Sequence, residues 1–398
     1  SLQKALGFIE ATTNEAALKA AATQQTGQSN QVLTPLTQPP QTAKPPSEAT
    51  LKAWLAQLQR IRQTPIRKSD HVQSIVSIKA TPMNELQGHI RQIGQTLGQV
   101  VVGQAGLIDQ LLVALLSGGH VILEGVPGTG KTLMVKVLAQ LIQAEFCRIQ
   151  LTPDILPSDI LGTNVFDLNT RDFTLKKGPI FTQVLLADEV NRTPPKTQAA
   201  LLEAMEEQQV TLDGTGHRLP DLFWGIATQN SLEFEGTYPL PEAQLDRFLF
   251  KLVVNYPDPQ AEKQMLKNTQ SGFEARRVNI QNLKPIIEDT AILAARQAVK
   301  QLKVEENILD YLLALTHKTR QSPDLSLGAS PRSSVSWLQA SKAHAWLQGQ
   351  DYVTPDNVKA VAAPLLRHRL ILGAEAQLDG LTTDKVINTL LKQVAVPR

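Results

Sequence analysis

The run Gly125-Val126-Pro127-Gly128-Thr129-Gly130-Lys131-Thr132 has the spacing G-x-x-x-x-G-K-[ST]. These residue types suit one task, the holding of the terminal phosphates of a nucleotide. Glycines let backbone N–H groups turn inward around phosphate oxygens. The helix that follows aims its N-terminus at the same anion. Lys131 is placed to reach the β- and γ-phosphates, and the Thr132 hydroxyl to ligate Mg²⁺. The candidate nucleotide-binding residues are Gly125, Pro127, Gly128, Thr129, Gly130, Lys131, Thr132 and Leu133. So short a motif also occurs in glycine-rich turns that bind nothing, so the context decides. Here an apolar strand, Val121-Ile122-Leu123-Glu124, precedes it and a helical pattern, Leu133 to Ile142, follows.

A second chemical feature lies further on, Val184-Leu185-Leu186-Ala187-Asp188-Glu189. An apolar strand that ends in two carboxylates delivers them to the carboxyl edge of a sheet, where α/β proteins bind ligands. Asp188 suits holding Mg²⁺ through water, and Glu189 suits orienting and polarising an attacking water.

Short buried strands must position these groups. Apolar runs recur at Val121–Leu123, Phe146–Leu151, Val184–Ala187, Leu222–Ala227 and Phe248–Val254, with helical patterns between them. That alternation predicts a parallel sheet in an α/β fold. After Tyr256-Pro257-Asp258-Pro259 the strand signals mostly stop. Helical periodicity then runs over Leu283–Lys300, Ile308–Lys318, Ser333–Leu347 and Thr354–Leu372, a second, helical domain. Residues 85–256 are thus expected to form the α/β core and 257–398 a helical lid. Residues 1–46 combine a weak helix with a Gln/Pro-rich linker too polar to bury a core. In 47–84, Leu51, Trp54, Leu55, Leu58 and Ile61 mark an amphipathic helix. It packs on the chain's own core or on a partner.

With 398 residues, 42% of them hydrophobic, the chain is long enough for two or three domains with real cores. A net charge of +2 gives no global attraction to nucleic acid or anionic lipid. The single cysteine, Cys147, excludes a disulfide-stapled fold and reads as a buried small residue rather than a reactive thiol. No apolar run approaches the ~20 residues of a membrane span, so the cytosol is the expected compartment. The seven histidines form no metal-binding cluster, so Mg²⁺ is the only metal expected. Arg367-His368-Arg369 reads as a solvated helix face rather than a nucleic-acid stripe.

Longer blocks carry a resemblance. Gly118 to Gly128, Ala187-Asp188-Glu189-Val190-Asn191-Arg192, Gln198 to Glu207, Ala227-Thr228-Gln229-Asn230, Gly236 to Phe248 and Gly328-Ala329-Ser330-Pro331-Arg332 resemble the MoxR AAA+ ATPases, of the helix-2-insert clade. The resemblance covers about Glu85 to Leu372. It implies a P-loop AAA+ fold with a helical lid, and a ring, commonly of six. It implies ATP hydrolysis with Mg²⁺ and chaperone-like remodelling of a protein client. A von Willebrand factor A-domain protein is the implied partner.

By resemblance Asn230 is sensor 1 and Arg332 sensor 2, reaching from the lid to the nucleotide. Arg247 is the arginine finger, presented to the next subunit. The catalytic candidates are then Glu189, Arg247, Asn230, Arg332 and Lys131. Two alternating segments, 162–175 and 209–219, read as hairpins, which the resemblance turns toward the ring axis or the client. Ser231, where Pro is common, and Gln348-Gly349-Gln350, where a Gly-Arg pair is usual, depart from the family pattern without touching the phosphate chemistry. A nucleic-acid motor and a non-hydrolysing scaffold are the rival readings. Near-neutral charge weighs against the first, and the intact set Lys131, Asp188, Glu189 and Arg247 against the second.

Overall fold

The five apolar runs pair in one sheet. The computed structural model describes residues 83–167, 171–230, 237–270 and 283–397. Strands β1 (Val121–Gly125), β2 (Phe146–Gln150), β5 (Val184–Asp188), β8 (Trp224–Gln229) and β9 (Phe250–Val254) lie in the order β2-β5-β8-β1-β9, all parallel. Two antiparallel hairpins, β3 (Gly162–Asp167) with β4 (Asp172–Lys177) and β6 (Gln209–Leu212) with β7 (Thr215–Arg218), form separate two-stranded sheets. The weak N-terminal helix, the Gln/Pro linker, the amphipathic helix Leu51–Ile61, Ser231 and Gly236 lie outside the described residues.

Side chains alternate across each strand with period two. Val121, Leu123, Val184, Leu186 and Ile226 pack on one face of the sheet, and Ile122, Leu185, Ala187 and Ala227 on the other. Both faces are covered over the inner strands β5, β8 and β1, which read as unbroken apolar runs, whereas edge strand β2 is exposed at Arg148 and Gln150. The first face carries helices Met83–Val100, Ala105–Ser117 and Lys131–Leu141. The second carries Leu201, Leu202 and Met205 of helix Pro195–Glu207.

The helical region follows with helices Asp289–Gln301, Glu306–Gln321 and Pro331–Leu347. Ser330 caps the last of these by accepting a hydrogen bond from the Ser333 N–H, with Pro331 in the first turn. Two expectations need correction. The pattern starting at Leu283 becomes helical only at Asp289, because Pro285 disfavours helical backbone at the residue before it. The pattern Thr354–Leu372 is not one helix. It divides into Pro355–Ala360, Ala362–Leu366 and the short strand β11 (Ile371–Leu372), which pairs with β10 (Leu325–Leu327). Pro364, with no N–H to donate, cannot continue the first helix and sits in the opening turn of the second.

The basic run is a further correction. Arg369 is 7% exposed and His368 6%, so neither forms a solvated face. The Arg369 guanidinium donates to Asp246 Oδ1 at 2.7 Å and to the carbonyls of Phe248 and Leu249, while His368 bonds the Phe248 carbonyl at 3.0 Å. Arg367 pairs with Asp384 at 2.9 Å and donates to the Lys251 carbonyl. The run bolts the helical region to the entry of β9. Charge alone could not reveal this, because the carbonyls that satisfy it are ~120 residues away in sequence.

His120, just before β1, is enclosed. Its Nδ1 accepts the Gly225 N–H at 2.9 Å and its Nε2–H donates to the Met205 carbonyl at 2.8 Å, which fixes the neutral tautomer. Burial pushes its pKa down to about 4. A histidine depressed in the folded state stabilises the fold above its unfolded pKa, near 6.5, and that contribution is lost as pH falls toward 4. Stability is therefore expected to fall by roughly 3 kcal/mol between these limits through this group alone. Urea titrations of wild type and His120→Gln at pH 7.5 and pH 5 should capture about 2 kcal/mol of this loss; an equal acid loss in both proteins would remove His120 as the cause. Among the described residues, no helix is long and apolar enough to cross a membrane.

Candidate functional site

The phosphate loop joins β1 to helix Lys131–Leu141. Gly128 and Gly130 adopt left-handed backbone, with φ of 82° and 81°, which a side chain would strain. Thr129 Oγ1 closes the loop on the Val126 carbonyl at 3.0 Å. Lys131 Nζ lies inside it, donating to the carbonyls of Gly125 and Val126 at 2.5 and 3.2 Å. Burial lowers the lysine pKa, and the nearby Asp188 and Glu189 carboxylates oppose that shift. The loop, Lys131 and both acidic residues therefore share one electrostatic site.

Sheet register builds the acidic half. Gln150 stands opposite Asp188, and Ala187 opposite Ala227, which brings Thr228 beside Asp188. The Thr228 hydroxyl donates to Asp188 Oδ1 and accepts the Glu189 N–H at 2.9 Å. Arg148 grips Asp188 Oδ2 through Nη2 at 2.6 Å and Nε at 3.0 Å. Gln150 donates to Glu189 Oε2 at 2.9 Å, and Arg192 approaches the same oxygen at 3.1 Å. Glu189 has φ 60° and ψ 51°, left-handed backbone that a non-glycine residue holds at a cost of about 1–3 kcal/mol. Its Thr228 bond helps to maintain that geometry.

Asn230, at the end of β8, is buried, and its carbonyl accepts from Asn191 at 3.4 Å. Beside the loop a cavity of about 360 Å³ is lined by Val100, Val101, Pro127, Gly128, Leu133, Tyr256, Met265 and Thr269, among others. Thr132 and Asp188 offer hard oxygen donors, a set that suits Mg²⁺. With Asp188 already bonded to Arg148 and Thr228, contact through water disturbs least.

The remaining two candidates lie elsewhere. Arg247 Nε sits 3.0 Å from Glu206 Oε2, and Arg332 Nη2 2.8 Å from Glu206 Oε1. Glu206 lies in the last turn of helix Pro195–Glu207, which begins soon after Asp188-Glu189 and spans 13 residues, about 20 Å. A small cavity bounded by Gly118, Gly119, Glu206, Asp246, Arg247, Arg332 and Arg369 marks the spot, at the entry of β1 rather than its phosphate end. Within one chain, Arg332 is therefore at the edge of the sheet opposite its own phosphate loop.

Arg148, Gln150 and Thr228 escaped the sequence reading. A signal existed for the first two: polar side chains two apart in Phe146-Cys147-Arg148-Ile149-Gln150 share one face of an otherwise apolar strand. Cys147, expected to be buried, is only half-buried at this edge strand, and burial raises its thiol pKa.

A parallel-sheet core with a phosphate loop, paired acidic residues and a helical lid defines a P-loop ATPase of the AAA+ class. Residues 120–250 match the family model "ATPase family associated with various cellular activities (AAA)", and residues 317–390 the AAA lid domain. The chain is 44% identical to the uncharacterized protein YeaC of Bacillus subtilis, over 76% of this chain and 92% of YeaC. It is 40% identical to Chaperone MoxR1 of Mycobacterium tuberculosis, over 75% of this chain and 80% of that one. A crystal structure from Cytophaga hutchinsonii, assigned as an ATPase, superposes with TM-score 0.72 at 36% identity, covering 83% of this chain and all of that one. The chain belongs to the MoxR family of AAA+ ATPases.

Proposed function

We propose that this ATPase hydrolyses Mg²⁺-ATP as a ring, commonly of six, and uses the energy to remodel a protein client. One observation carries the reading. The phosphate loop with Asp188 and Glu189 stands at one edge of the sheet, while Arg247 and Arg332 stand about one helix length away at the other. A rigid chain cannot close that gap on itself, so the guanidiniums serve a site in a neighbouring subunit, and ring assembly completes every site.

In each site the loop N–H groups and Lys131 hold the phosphates, Asn230 contacts the terminal phosphate or the water, and Glu189 takes up the proton of the attacking water. Arg148 and Thr228 hold the Asp188 carboxylate in place, and Gln150 holds Glu189. Magnesium, when bound near Thr132 and Asp188, neutralises charge on the phosphate oxygens. The cavity beside Tyr256 and Met265 accommodates the nucleoside. Core residues 85–256 and lid residues 257–398 are the proposed domains.

For the client face, the two hairpins are the proposed elements. Asn164 donates to Asp213 at 2.6 Å, linking them, and Phe166 and Phe173 meet edge to face at 5.2 Å with both rings well exposed. Chaperone MoxR1, by its name, supports a protein client. A von Willebrand factor A-domain protein is the proposed partner, and the cytosol the proposed compartment.

The purified full chain should release phosphate from ATP only with Mg²⁺, with activity per subunit rising as assembly proceeds. Lys131→Ala should weaken ATP binding by at least about 2 kcal/mol, or roughly thirtyfold. Calorimetric ATP binding unchanged by Lys131→Ala, or hydrolysis undiminished by EDTA, would defeat the reading.

A further inference from the structure

The Arg247–Arg332 pair does not stand alone; one carboxylate organises it. Glu206 gives Oε2 to Arg247 at 3.0 Å and Oε1 to Arg332 at 2.8 Å, so the two guanidiniums straddle a single side chain. Arg332 also approaches Asp246 Oδ2 at 4.0 Å, while Asp246 Oδ1 accepts from the buried Arg369. The cluster holds three guanidiniums against two carboxylates, leaving one positive charge in excess. Arg247 Nη1 is buried without a hydrogen-bond partner in the described structure, a donor still to be satisfied. Glu206 is itself fixed from behind. It sits in the last turn of helix Pro195–Glu207, and its neighbour Met205 is tied through its carbonyl to His120 at the entry of β1.

We propose that Glu206 is a positioning residue for ATP hydrolysis, holding Arg247 and Arg332 side by side so that both meet the terminal phosphate in the adjacent subunit. This rests on the between-subunit reading given above. A long arginine side chain left to itself samples many rotamers, and ordering it at the moment of reaction costs entropy. A carboxylate that binds Nε of Arg247 holds the side chain in one rotamer while leaving Nη1 without a protein acceptor. It thus supplies alignment in advance. Binding of ATP within the subunit that carries Glu206 involves the opposite edge of its sheet, so that step should not depend on it.

Mixed assemblies separate the possibilities. Lys131→Ala subunits supply the arginines, and Arg247→Ala subunits supply the working phosphate site. Glu206→Gln is placed in one partner or in the other. With Glu206→Gln in the Lys131→Ala subunit, kcat of the mixture should fall about tenfold or more at an ATP KM within about twofold. With the same change in the Arg247→Ala subunit, kcat should hold. Glu206→Asp, which keeps the charge but withdraws it by one methylene, should show the same one-sided loss. A loss of equal size from either placement, or no loss from both, would overturn the proposal. If the mixture with Glu206 intact shows no restored activity, the between-subunit reading itself fails and this proposal falls with it. Sedimentation of each mixture confirms that assembly is unchanged.

Discussion

Arg247→Ala should bind ATP normally and hydrolyse it some 10³–10⁵ times more slowly. That range corresponds to about 4–7 kcal/mol of barrier at 1.36 kcal/mol per decade. The size follows from where the guanidinium would act. Charge spreads over the transferring phosphoryl oxygens in the transition state, and a fixed cation there stabilises that state more than the ground state. The ground-state contacts, from the loop N–H groups and Lys131, stay intact, so ATP affinity should change little. Folding should survive as well. Arg247 and Glu206 are each 29% exposed, Glu206 keeps the Arg332 ion pair, and a solvent-screened pair contributes about 1 kcal/mol. Mixing Arg247→Ala with Lys131→Ala should restore part of the activity, because each mutant supplies what the other lacks. Steady-state phosphate release from the single variants and the mixture checks this. Near-normal turnover by Arg247→Ala alone would dismiss the residue from the mechanism.

Glu189→Gln should lower kcat by roughly 10²–10⁴ and leave assembled protein loaded with ATP. The amide matches the carboxylate in shape. It can still accept from Gln150, as Glu189 Oε2 does at 2.9 Å, so the strained left-handed backbone and the Thr228 bond should persist. What disappears is the acceptor for the water's proton. Single-turnover chemistry should slow while ATP retention, measured by rapid filtration, lengthens. Client capture by this stalled form would then become practical. If Glu189→Gln turns over normally, the water is activated by some other group. If it neither binds ATP nor assembles, Glu189 is holding the site together rather than acting on water.

The phosphate loop, the acidic strand tip and the buried strands were legible in the sequence because each is local. Gly128 and Gly130 take left-handed backbone, which follows from residue type. Asp188 and Glu189 end a strand whose five residues are all buried, and an apolar run records burial directly. The Asp213-Gly214 turn, with φ of 49° and 79°, is likewise written in two adjacent residues.

What tertiary structure alone decided are the pairings across distance. Arg367, His368 and Arg369 look like a wet basic face in one dimension. Folded, they are anchors, because the Phe248 and Leu249 carbonyls arrive from the end of another element. Arg148, Gln150 and Thr228 join the site only through strand register, which no single segment contains. Arg247 and Arg332 are far apart in sequence and meet on Glu206 only after the helical region docks. Sequence reports what each stretch must bury and where its backbone must bend. Which charge faces which is set when the sheet and its covering helices close together, since Coulomb and hydrogen-bond partners are chosen by distance in space.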